Sequence, residues 1–228
     1  MSFGTAKLPP LGAPPGRSPF RSPKGLATAL TVLLGLCAAT RLFTGAAGIN
    51  RYLVLDALVE GGAADAVPSW QLYSRGLSFA VTAMVVTAVV FVVWFHRVRV
   101  NAGGYAPGMF GGFVGGTGWA VGVWFIPLVG WTVLAYMIAV KVWAAGASRL
   151  SGSSARPVSA APVAAWAGSF GAAMLVAVAA NRLAAGAVTD AEFRDSVLVG
   201  VASDVLYVVA AGCAIVFVRR LSAMQSRA

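Results

Sequence analysis

Five apolar runs alternate with polar segments along the chain: Leu26–Ala47, Leu77–Phe95, Trp119–Val140, Val163–Ala180 and Val197–Val218. A helix needs roughly 20 apolar residues to cross about 30 Å of hydrocarbon, so each run is a candidate span. The first is interrupted only by Arg41, the second carries no charge, and the last holds Asp204. The fourth is rich in small residues such as Gly168, Gly171 and Ala172, which permit close helix approach in lipid. The pattern predicts an all-α polytopic transmembrane bundle over residues 25–220.

The segments between the runs are of two kinds. Asn50–Gly76 carries Asp56, Glu60 and Asp65 with the breakers Gly61, Gly62 and Pro68, and reads as a loop. Asn101–Gly118 holds eight glycines, whose successive amides can cradle an anion. No phosphate-loop lysine follows them, and a flexible connector is the plainer reading.

The third run differs from the others. Pro127 stands in its middle, and Trp119, Trp124, Trp131 and Trp143 are spread through and just beyond it. Proline removes a backbone donor and clashes with the preceding turn. The run is therefore expected to enter and return, or to lie at the interface, giving four spans plus a Pro-broken helix. The alternative is five spans, because membrane helices tolerate kinks.

Charge favours four. With four crossings, 12 of the 17 Lys and Arg fall on the side of the N-terminus, and the six loop acids Asp56, Glu60, Asp65, Asp190, Glu192 and Asp195 fall on the other. Five crossings split the basic residues almost evenly and leave the orientation unexplained by the positive-inside rule. The expected placement is a bacterial plasma membrane with both termini cytoplasmic. Residues 1–24, with six prolines and four basic residues, read as a disordered cytoplasmic tail before an uncleaved anchor, and residues 221–228 as a short cytoplasmic tail.

Composition agrees: 59% of the 228 residues are hydrophobic and 11% charged, where a soluble domain has about 25% charged. The net charge of +10 is scattered between apolar runs, which points to the lipid bilayer and its anionic headgroups as partners and away from nucleic acid. A protein partner or a second copy of the chain fits equally well. One histidine and two cysteines inside apolar runs support no metal site, cofactor or disulfide framework. Asp204 is expensive in lipid unless paired, and Arg41 and Arg182 are its candidate partners.

Two stretches carry a resemblance. Trp94-Phe95-His96-Arg97-Val98-Arg99-Val100-Asn101-Ala102 and Gly118-Trp119-Ala120-Val121-Gly122-Val123-Trp124-Phe125-Ile126-Pro127, closed by Trp143, resemble the bacterial membrane family known as domain of unknown function 4328. That family's second proline has no counterpart here near Ala135. The resemblance implies an architecture and no catalytic residue. Read physically, Trp94, His96, Arg97, Asn101, Trp119, Trp124, Pro127 and Trp143 form a candidate cytoplasmic motif, with Trp119, Trp124 and Trp143 expected as interfacial anchors that Trp94, His96, Arg97 and Asn101 face. The expected function is noncatalytic binding of a partner protein or lipid through this Trp- and Gly-rich region. The alternative is a small-solute or ion transporter using Asp204 with Arg41 or Arg182.

Overall fold

The computed structural model describes residues 20–127, 129–150 and 158–226; most of the expected N-terminal tail, with Lys7 and Arg17, lies outside them. The described chain is helical: α1 (Lys24–Val59), α2 (Ala66–Tyr105), the short α3 (Trp119–Gly122), α4 (Ala135–Leu150), α5 (Ala161–Gly186) and α6 (Asp190–Ser226). A π turn, Gly130–Leu134, runs directly into α4. Among the described residues, five helices are long and apolar enough to cross a membrane: Lys24–Val59, Ala66–Tyr105, Gly130–Arg149, Ala161–Gly186 and Asp190–Ser226.

The helices outrun the apolar patches that announce them. At 1.5 Å per residue α1, with 36 residues, is about 54 Å long, well beyond the hydrocarbon thickness. The expected loop from Asn50 shrinks to residues 60–65, because charges there are satisfied between helices. Arg51 stacks on Trp70, 4.0 Å from its ring centre, and Arg194 bonds Asp56 at 2.7 Å. Gly61, at φ +84°, ends α1 as a breaker should. Pro68 does not break α2, because it falls in the first turn, where its missing N–H costs nothing. Asp65 caps that turn by accepting from the Val67 amide at 2.9 Å. Thr189 and Glu192 form a reciprocal capping box before α6. At its other end α6 continues through Ser226, so residues 221–226 extend the helix where a tail was expected, and Ser222 and Gln225 are buried.

The long helices form a row, α2 on α1, α1 on α6, and α6 on α5. Small residues allow the close fits: a Cβ at Gly48 would lie 2.8 Å from Val201. Cross-links fix the directions. Asn101 accepts from the Arg21 amide and donates to the Arg21 carbonyl and to Gln225, while Trp94 donates to Ser222 Oγ at 3.0 Å. The start of α1 and the ends of α2 and α6 thus meet at one end of the bundle, where Lys24, Arg97, Arg219 and Arg220 also lie. The opposite end carries the acids. Ser203 on α6 donates to the Ala173 carbonyl on α5, and Trp166 stacks on Phe217, so α5 runs antiparallel to α6 and starts at the basic end. The chain is therefore at the basic end both at residue 106 and at residue 160, and Arg149 sits 4.7 Å from the Tyr105 ring centre.

Candidate functional site

Arg41 and Asp204 meet as the sequence suggested, Nη1 to Oδ1 at 2.9 Å, with Asp204 buried. The guanidinium also covers the Tyr207 ring at 4.2 Å and points Nη2 at the Met84 sulfur, 3.7 Å away. Pairing and cation–π contact offset much of the desolvation of two charges among apolar helices. Arg182 is exposed on α5 and takes no part in this pair.

Beside the pair lies a cavity of about 130 Å³. It is lined by Leu34 and Cys37 on α1, Met84, Ala88 and Phe91 on α2, Trp166 and Phe170 on α5, and Ala210, Ala211 and Ala214 on α6. Its polar groups are Arg41, Cys37, Thr87, Tyr207 and the Trp124 indole. Cys37 Sγ and Thr87 Oγ1 are 3.1 Å apart, and Thr87 also donates to the Ala83 carbonyl at 2.7 Å. The alanines of α6 create this space, since larger side chains there would fill it.

Trp124 lines the cavity on the side toward the basic end. It stands edge-on to Phe91 and Phe95, at 5.4 and 5.9 Å between ring centres, and its indole donates to the Ala120 carbonyl. Ile126 is extended, as a residue before proline is driven to be, so the helical turn from Trp119 stops and the chain reverses before the π turn. Pro127 itself is exposed. Gly130 sits against Val123 and Ile126 at this reversal; a Cβ there would lie 2.8 Å from the Ile126 Cβ. Trp131 Nε1 donates to the Trp124 carbonyl at 2.7 Å, tying the returning limb to the entering one.

The expected Trp- and Gly-rich motif is divided between two faces of α2. Trp94 and Asn101 turn toward α6 and the chain start, and Arg97 reaches the Ser22 carbonyl at 3.5 Å. The residues of α2 that meet the glycine-rich loop and the entering limb are Phe91, Phe95 and Arg99, which no expectation from the sequence singled out. Their spacing, which continues Met84 and Ala88 in steps of three and four, was the signal for one helical face. Trp143 is 2% exposed and packs on Phe217 at 6.2 Å, which makes it a core residue and not an interfacial anchor. Trp119 packs on Phe113 at 4.7 Å. His96 Nδ1 is buried with no partner.

At the basic end the glycine-rich loop folds over Arg99. The guanidinium lies 3.6 Å from the Phe110 ring centre and donates Nη2 to the Gly115 carbonyl. Lys141 of α4 bonds the Gly111 carbonyl of the same loop at 2.9 Å.

Residues 62–223 match the model of a family described as Domain of unknown function (DUF4328). The chain belongs to that family. The match takes in Arg99, Trp124 and Asp204 and stops short of Arg41, so the family segment contains one side of the ion pair and α1 supplies the other. No curated protein and no solved structure matches the chain.

Proposed function

We propose that this DUF4328 protein is a noncatalytic binding protein of a bacterial plasma membrane, with four spans and a re-entrant segment. It takes an apolar or amphipathic small molecule into the cavity between its spans. The hairpin at Trp124–Trp131 is the re-entrant element, and the basic end is cytoplasmic. Support for four spans comes from the antiparallel row, which leaves residues 106–160 beginning and ending at one end. Most of the described cations lie at the basic end, with Arg51, Arg75, Arg182 and Arg194 toward the other, and that majority supports the orientation.

The cavity carries the binding reading. Its volume of about 130 Å³ approaches that of a dry engineered cavity, about 150 Å³, that takes up benzene. Its lining offers no histidine and no free carboxylate, and its one charge is held by Asp204. Such a site can hold an apolar group, and its lining has no histidine or free carboxylate to activate the Cys37 thiol. The test is native mass spectrometry of the detergent-purified full chain. A retained adduct is expected on the unaltered protein and should be lost from Ala211→Phe, which fills the cavity. No adduct, or one retained equally by the variant, would contradict the reading.

One observation favours a second reading, transport of an ion or small solute: Arg41 of the ion pair is itself in the cavity wall. That reading predicts pH-dependent flux into proteoliposomes that Asp204→Asn abolishes. Flux unchanged by the substitution would remove it.

A further inference from the structure

Among the described residues, no acidic side chain balances the positive charge of Arg99. The residue is 2% exposed, yet Nε and Nη1 have no hydrogen-bond partner, so three of the five guanidinium N–H groups are unsatisfied. The chain has seven acidic side chains. Six lie at the opposite end of the bundle and the seventh, Asp204, is held by Arg41. The partners Arg99 does have are neutral: the Gly115 carbonyl and the Phe110 ring. Lys141 likewise spends its ammonium on the Gly111 carbonyl, four residues earlier in that loop. Gly103 keeps the space beside the guanidinium clear, since a Cβ there would lie 2.8 Å from Nη1.

Buried unpaired charge is strongly unfavourable, and carbonyls are weaker partners for a cation than an oxyanion is. The geometry points to a phosphate-binding site beneath the glycine-rich loop, in which Arg99 and Lys141 exchange the Gly115 and Gly111 carbonyls for the oxygens of one phosphate group. That group belongs to a lipid headgroup or to free phosphate. The site stands apart from the cavity, so it does not depend on what the cavity holds.

The experiment is native mass spectrometry and thermal unfolding of the full chain in detergent, with dioleoyl phosphatidic acid, phosphate-free dioleoylglycerol and inorganic phosphate as probes. Phosphatidic acid should be retained on the order of tenfold more tightly than dioleoylglycerol. Arg99→Gln and Lys141→Gln should each abolish that preference, and Arg182→Gln, at the other end of the bundle, should preserve it. Displacement of phosphatidic acid by inorganic phosphate assigns the site to the free anion as well; retention in its presence assigns it to a headgroup. Because Arg99→Gln and Lys141→Gln each also remove a tie to the loop, unfolding of each variant without lipid separates folding from binding, and Lys141→Arg, which keeps the cation, should retain the preference. Equal retention of the two lipids, or a preference unchanged in a folded Lys141→Gln protein, overturns the proposal.

Discussion

Arg41 and Asp204 come from helices 163 residues apart in sequence, and the physics of lipid brings them together. Removing one partner leaves the other charge stranded. Asp204→Ala should therefore cost about 3–5 kcal/mol, whereas Arg41→Leu combined with Asp204→Leu should recover most of that loss. Reversible unfolding in mixed micelles measures both, and an additive double variant would show that the pair is not coupled. Trp94→Phe should cost about 1 kcal/mol, since it deletes the bond to Ser222 and keeps most of the ring packing. Asp204 stood out in the sequence because a carboxylate inside an apolar run has few explanations. Arg99 did not, because basic residues at a span's end are ordinary, and its burial depends on a loop whose path no local pattern foretells.

Among the elements, the apolar runs located the middle of every long helix and missed most of the ends. Hydropathy registers lipid, and the extra turns of α1, α2 and α6 lie where charged and aromatic side chains pair between helices. The reversal after Trp124 was readable from Pro127, whose effect on Ile126 is local. Its tightness was not, because that rests on Gly130 meeting Val123 and Ile126. Gly130→Ala should destabilise the protein by about 1–3 kcal/mol through overcrowding at this turn. Gly168→Ala, on an open stretch of α5, should be close to neutral. Equal effects in thermal unfolding would mean that the turn is not the constraint described.

For the molecule as a whole, the proposed four-span topology requires that the chain leave one side of the membrane after residue 106 and be back on that side by residue 160. Hydropathy alone leaves this undecided, because Gly130–Arg149 is apolar enough to cross. Charge asymmetry and the antiparallel row both favour four crossings, and they are independent of each other. The direct test is sided cysteine labelling in intact cells, with Cys37→Ser and Cys213→Ser as background and single cysteines placed by Thr117→Cys, Ser159→Cys and Val188→Cys, all at exposed positions. The account predicts that the positions before and after the hairpin, 117 and 159, are both protected from an impermeant reagent, while position 188 is labelled. Labelling of 117 and 159 from opposite sides would mean that the segment between them crosses, and the four-span account would be wrong.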